Sequence, residues 1–272
     1  MHRRFFPERL RLALRIAGQA AIIAIGVELF SRSMVSAPTA GATSGDPVVL
    51  ELFTSQGCSD CPPADAQLNE LGASTAGVIP LAYHVDYWNH LGWSDPFSSA
   101  QFSERQEDYA HALKINAPYT PQIVIGGATQ FVGSDRSSIA RALTKAQAAP
   151  ALGHVGLRTS LAGQSPRSLQ VKVKAQVGSS APGPFVVMVA VYENGLVTRV
   201  GAGENGGREL KDDYTVRKLV RAFAIEGTQA VEKEVTVDLD PTWSVDRLGA
   251  AAFIQNTSSL KIIGATAQYP IG

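Results

Sequence analysis

The sequence predicts an α/β domain over residues 43–150 followed by an all-β sandwich over residues 151–272, behind a leader of residues 1–42. Three observations lead there. Apolar strand patterns alternate with amphipathic helix patterns from Val48 to about Ala149. After Pro150 only short strand patterns separated by turn signals remain. The two cysteines of the chain, Cys58 and Cys61, sit between the first strand and the first helix.

The leader opens with basic residues (Arg3, Arg4, Arg9, Arg11, Arg15) and runs into an apolar stretch from Ile16 to Phe30. Small residues come next, and Ala40-Gly41-Ala42 offers a cleavage site. Gln19 and Glu28 interrupt the stretch, which is short of the ~20 residues a membrane span needs. The pattern predicts export to the periplasm or the medium, with membrane contact only through an uncleaved leader. Charge balances over the chain, with 24 basic and 24 acidic residues. Six of the arginines lie in the leader, so residues 43–272 are mildly acidic and carry no basic patch for nucleic acid.

Val48–Phe53 reads as a strand broken only by Glu51. Pro63–Leu71 reads as a helix with Ala64, Leu68 and Leu71 on one face, ended by Gly72. Val78–Val85 is a second strand, and Tyr87–Pro96 an irregular segment rich in aromatics. Ser98-Ser99-Ala100-Gln101 fits a capping box opening a helix that carries Phe102, Tyr109 and Leu113. Gln122–Ile125 and Thr129–Val132 form a hairpin across Gly126-Gly127. Ser134 caps a last helix with Ile139, Ala142 and Leu143. Beyond Pro150, Leu157–Ser160, Ser168–Val177, Pro184–Glu193, Thr215–Ile225, Ala230–Leu239, Ala250–Gln255 and Lys261–Gln268 are strand-like. Val171, Val173, Ala175 and Val177 alternate with Lys172, Lys174 and Gln176, as in a half-buried strand.

Cys58-Ser59-Asp60-Cys61 carries the chemistry. A bridge across so short a loop removes little unfolded-chain entropy, so a redox or metal role explains the pair better than stapling. At the head of a helix, Cys58 gains from free N–H groups and the positive dipole end, which favour its thiolate. Cys58 is the expected nucleophile and Cys61 the resolving thiol. Asp60 is expected to oppose the Cys58 thiolate by its charge.

The strand Val48–Phe53, the Cys58–Cys61 pair and Tyr119-Thr120-Pro121-Gln122 before the hairpin resemble the thioredoxin-like superfamily. The resemblance implies that Pro121 is cis and faces the cysteines, and that the Thr120 backbone docks a peptide or thiol substrate. Glu51-Leu52-Phe53-Thr54-Ser55-Gln56-Gly57 leading into the cysteines, His84-Val85-Asp86-Tyr87-Trp88 and Gly92-Trp93-Ser94-Asp95-Pro96-Phe97 are similar to a bacterial family of secreted thioredoxin-like proteins catalogued as a domain of unknown function. Thr54–Gly57 replaces the tryptophan-rich approach of ordinary thioredoxins, and Tyr87–Phe97 reads as an insertion beside the site. Both point to a restricted partner.

Glu51 is a charge within an apolar strand, and the thioredoxin-like resemblance implies for it the role of a buried acid that accepts the resolving thiol's proton. The plain alternative is a carboxylate at the sheet edge pointing to water. Tyr87 and Trp88, with Trp93 and Phe97, read either as a wall for a peptide ligand or as the core of a long loop. His84, Asp86 and His90, beside two thiolates, open a copper-handling alternative, although their spacing matches no closed zinc site. Gly201–Gly207 reads as a turn, and Arg217 and Arg221 as solvated. The expected activity is thiol–disulfide exchange on a protein thiol or disulfide partner outside the cytoplasm, with no cofactor and no resident metal. A binding or scaffold protein with a static disulfide is the alternative from another class.

Overall fold

The computed structural model describes residues 46–163 and 167–271. The leader therefore lies outside the described residues. Among those residues no helix is long and apolar enough to cross a membrane.

The fold is mixed α/β, built on one large mixed sheet with few helices. Strand β1 (Val48–Thr54) runs parallel to β2 (Val78–His84) and antiparallel to β3 (Gln122–Ile125), which turns into β4 (Thr129–Val132). Both Gly126 and Gly127 have positive φ, 57° and 64°, as a tight hairpin turn requires. Helix α1 (Pro62–Ser74) comes after the cysteine loop, α2 (Ala100–Ala112) after the aromatic segment, and α3 (Arg136–Gln147) after β4.

The expected boundary at residue 150 falls between α3 and β5 (Gly153–Ala162), and the large sheet runs across it. Strands β7 (Phe185–Glu193), β10 (Thr215–Ile225), β12 (Leu248–Asn256) and β13 (Ile262–Gln268) extend it to eight strands in the order β13-β12-β7-β10-β2-β1-β3-β4. The join is the parallel contact of β10 with β2 at Thr215 and Ala82, where the Ala82 amide donates to the Tyr214 carbonyl at 2.8 Å. The sheet does not close into a barrel. Strands β5, β6 (Ser168–Val177) and β11 (Val231–Asp238) form a separate three-stranded sheet. Strands β8 (Leu196–Arg199) and β9 (Glu209–Asp212), too short for a clear strand pattern in the sequence, form a two-stranded arm.

Strand alternation sorts the core. Val48, Leu50 and Leu52 face α1 and α3, meeting Ala64, Leu68, Ile139 and Leu143. Val49 and Phe53 face the other way, into a cluster with Tyr83, Phe102, Tyr109 and Phe253 under α2. The three-stranded sheet packs Leu169, Val171 and Val173 against Val187, Val189, Ala252 and Ile254 of the large sheet.

Three boundary details differ from expectation. Gly72 does not end α1. It lies inside the helix, where a Cβ would come within 2.6 Å of the Tyr214 ring and 2.7 Å of Pro80. Ser99, rather than Ser98, caps α2, accepting from the Gln101 amide, while the Gln101 side chain donates to the Leu219 carbonyl. Asp135, rather than Ser134, caps α3 by accepting from the Ser138 amide at 3.0 Å.

Candidate functional site

Cys58 and Cys61 lie in the turn that links β1 to α1, with Cys61 at the helix N-cap. Both are thiols in this structure and both are buried. The hydrogen bond from Cys61 draws the Cys58 thiol down to about 7. Burial opposes this, while the Thr120 hydroxyl and the backbone amides of Asp60 and Cys61 assist. Burial pushes Cys61 far above the ordinary thiol range, reinforced by its bond to Cys58 and by the Asp65 carboxylate. The expected opposition from Asp60 is corrected here: its side chain is exposed, and its backbone amide favours the thiolate.

Thr120 and Pro121 stand beside the cysteines, and their peptide bond is cis. Trp88 does not form a free wall. Its indole N–H donates to Thr120 Oγ1 at 2.8 Å and fixes that hydroxyl, and Gly57 leaves room for the Trp88 Cβ. Tyr87 is partly exposed and donates to Gln106 Oε1 at 3.0 Å. Burial pushes its phenol up, against the bond to Gln106.

Glu51 is far from the role expected of it. Residues 50 and 52 point at α1 and α3, so Glu51 points the other way, at α2. It forms a fully buried ion pair with Arg105 at 2.7 Å and also accepts from the Tyr109 hydroxyl. Arg105 also reaches Gln255 on β12 at 3.2 Å and lies over the rings of Tyr83, Tyr109 and Phe253. No thiol belongs to this network, and neither edge exposure nor proton exchange with Cys61 describes it.

The acid beside the thiols is Asp65. It sits four residues after Cys61, one helical turn along the same face of α1. Burial, then the Asp212 carboxylate, raises it to about 7, with the charge of His84 opposing. In the sequence Asp65 passes for an ordinary helix residue; its spacing from Cys61 is the available signal.

Behind Asp65 lies a second buried polar cluster. His84 Nδ1 pairs with Asp95 Oδ2 at 2.7 Å, both side chains being buried. Burial alone would lower the His84 pKa, but Asp95 more than offsets it and raises the imidazole to about 9. Asp95 is held low by the same pair against its own burial. Gln56 ties the cluster together: its amide donates to Asp95 Oδ2 and its side chain to Asp212 Oδ2, each at 2.8 Å. His84 Nε2 and Thr215 Oγ1 are buried without a hydrogen-bond partner. The Tyr87–Phe97 segment delivers Trp88, Trp93 and Asp95 to this region, and β9 delivers Asp212.

His84, Asp86 and His90 are not brought together. Asp86 accepts from the Ser103 hydroxyl, and His90 lies exposed against the Tyr87 carbonyl. Among the described residues no group of three or more His, Cys, Asp or Glu side chains is arranged to hold a metal ion. Arg217, expected in solvent, is largely buried between the Phe97 and Trp243 rings and pairs with Glu193 at 3.3 Å.

The second half of the chain reaches the cysteine loop directly. Asn205, fully buried, donates through Nδ2 to the carbonyls of Gln56 at 3.0 Å and Cys58 at 2.9 Å, and Glu204 accepts from the Ser59 amide at 2.9 Å. The sequence holds no local signal for this contact, which spans well over a hundred residues.

The sequence pattern described as "Protein of unknown function (DUF1223)" matches residues 49–255. The crystal structure of protein AGR_C_4864 from Agrobacterium tumefaciens is similar at 30% identity and a TM-score of 0.63, covering 81% of this chain and 92% of that one. HBP35 of Porphyromonas gingivalis is similar in fold, at 16% identity and a TM-score of 0.65, covering 84% of this chain and 76% of that one. No curated protein matches the chain.

Proposed function

The chain belongs to the DUF1223 family, and we propose that it is an exported thiol–disulfide exchange protein acting on a protein partner outside the cytoplasm. In this reading residues 43–150 are a thioredoxin-like domain, and the sheet of β5, β6 and β11 with the strands it covers is a β-sandwich. The order of β1, cysteine turn, α1, β2 and the Thr120-Pro121 entry into a hairpin supports the first part. The leader supports export.

The observation that carries the activity is the divergence of the two thiols: Cys58 is drawn down to about 7 while Cys61 is pushed far up. A thiolate near neutrality is the attacking species, and a protonated neighbour waits to resolve. The Cys58 thiolate attacks one sulfur of a partner disulfide. That bond breaks, the first partner sulfur leaves as a thiolate, and a mixed disulfide forms. Cys61 then gives its proton to the Asp65 carboxylate and attacks Cys58 Sγ, expelling the second partner thiolate. The partner has gained two electrons and Cys58–Cys61 has lost two; the reverse sequence oxidises a partner dithiol. Asp65, poised near 7, serves as base in one direction and acid in the other. Thr120, oriented by Trp88, supports the thiolate and offers its backbone to the partner. No dissociable cofactor enters.

The test is Cys61→Ser in the native compartment. A mixed disulfide between Cys58 and a partner protein is expected to accumulate. Absence of any trapped partner, together with a reduction potential too low for exchange, would favour the second reading. That reading is a binding protein with a static disulfide, and the burial of Cys58 at 1% exposure is the observation on its side.

A further inference from the structure

Three buried polar atoms on one face of the large sheet have no hydrogen-bond partner among the described residues: Thr54 Oγ1 on β1, His84 Nε2 on β2 and Thr215 Oγ1 on β10. Each of these residues is at most 1% exposed. Register brings them together. Thr54 lies opposite His84 in the parallel β1–β2 pair, and Thr215 lies opposite Ala82, the residue before last to His84 and on the same face. Leu52 and Ala82 are partners on that face and pack against Ala64 and Leu68 of α1. The three atoms therefore form a polar floor on the α1 side of the sheet, where β1 and β2 end.

Each atom of the floor can donate. A hydroxyl hydrogen rotates to meet an acceptor, and Asp95, paired with Nδ1, holds the His84 ring as an imidazolium whose Nε2–H is unused. Buried donors without an acceptor are costly, so three together call for an anion. Three carboxylates reach this space. Asp95 is fully engaged: Oδ2 pairs with His84 and accepts from the Gln56 amide, and Oδ1 accepts from the Phe97 amide. Asp212, from β9, is tied through Oδ2 to the Gln56 side chain. Asp65, from α1, has the Thr54 hydroxyl and the His84 charge favouring its ionised form, against burial, Asp212 and Cys58. Cys61, in the turn, is the other titratable group it acts on.

We infer that Thr54, His84 and Thr215 are a donor floor for the Asp65 carboxylate, and that His84 is a positioning residue of the exchange reaction, keeping Asp65 a base at neutral pH without itself carrying the proton. The catalytic consequence rests on the exchange reading; the floor does not. In resolution the Cys61 S–H bond breaks and an Asp65 O–H bond forms, while His84 holds both ring protons throughout. The floor then faces a neutral acid and draws the proton off it again, which suits Asp65 to act as the acid in the reverse direction.

The carboxyl carbon-13 shift of Asp65, assigned by its loss in Asp65→Asn, reads the floor without any partner. It is followed in Cys58→Ser protein, so that the thiol does not titrate beside it. His84→Gln removes the charge and is expected to move the Asp65 midpoint up by about one pH unit. Thr215→Val keeps every charge and the side-chain shape, and is expected to move it up by a smaller step. The nitrogen-15 shifts of His84 remain those of an imidazolium through the Asp65 transition. In the reaction itself, release of a fluorescent thiol from a mixed disulfide on Cys58 should slow about fivefold at neutral pH in His84→Gln and recover at higher pH, as a one-unit shift requires. A merely structural role would slow it equally at every pH. An Asp65 midpoint that stays in place in either variant, movement of the Asp212 carboxyl instead, or a His84 ring that loses its proton with Asp65 overturns the inference. If the midpoints move as expected but Cys61→Ser traps nothing in the native compartment, the floor stands and the exchange reading fails.

Discussion

Two buried ionic clusters lie on opposite faces of the same sheet, and they are built to different standards. Under α2, every charged atom of Glu51 and Arg105 has a partner, supplied by each other, Tyr109 and Gln255. Beside α1, Asp65, His84, Asp95 and Asp212 share a space in which His84 Nε2 and Thr215 Oγ1 go without partners and Asp65 is raised to about 7. A network whose charges are all paired fixes a structure, although the Tyr83 hydroxyl beside it is buried without a hydrogen-bond partner. A partly satisfied one, with groups poised to gain or lose protons, is what proton transfer beside a thiol requires. On the proposed reading, nearness to the thiols and a proton poised near neutrality at Asp65, rather than burial of charge, mark the functional cluster.

The sharpest break of this contrast is Arg105→Met. It strands Glu51 without its cation and is expected to cost about 3–5 kcal/mol in urea unfolding, as for a broken buried pair. The Cys58 titration should stay where it is. A shifted thiol with unchanged stability would reverse the roles of the two clusters.

Next comes the pH dependence of stability. Folding raises the His84 pKa from 6.5 to about 9, so the folded chain holds that proton more tightly than the unfolded one. The stability it contributes is complete below pH 6.5 and is lost as pH rises to about 9, roughly 3 kcal/mol at 1.4 per unit. Asp65 acts in the same direction lower down, since its raised pKa costs stability as pH climbs from 3.8 to about 7. Cys58, lowered from 9.0 to about 7, works the other way between pH 7 and 9, so the His84 contribution is read in Cys58→Ser protein, whose denaturation midpoints should fall across this range, with His84→Gln flattening the upper part. A flat Cys58→Ser profile between pH 6.5 and 9 would contradict the pairing with Asp95.

The smaller expected effect is kinetic. Asp65→Asn removes the base for Cys61 and should slow resolution of a pre-formed mixed disulfide by about a hundredfold. It should also leave the protein more stable above pH 7, where the wild-type carboxylate is charged. Stopped-flow release of a fluorescent thiol from Cys58 tracks the first effect. Glu51→Gln, read the same way, should leave the rate unchanged.

The strands, the hairpin and the cysteine turn were legible because each rests on local pattern: period-two alternation, two glycines at a turn, apolar spacing on a helix. The choice of Glu51 failed at a step the same alternation governs. Leu50 and Leu52 face α1, so the residue between them faces away from the cysteines. A charge in an apolar strand marked burial correctly but not the face. Asp65 was hidden in a helix pattern, where an acid in the first turn has an ordinary explanation in the helix dipole. Asp95, Asp212, Glu204 and Asn205 reach the site from loops and a distant strand pair, through contacts set by the continuity of the sheet across residue 150. No local pattern encodes those.

The central claim is that Cys58 is an attacking thiol. It is tested most directly by titrating the thiolate absorbance of the reduced protein at 240 nm. An apparent pKa of about 7 for the first thiol, with the second not titrating in the accessible range, is the predicted result. Two thiols titrating together at or above the ordinary value of 9.0 would contradict it.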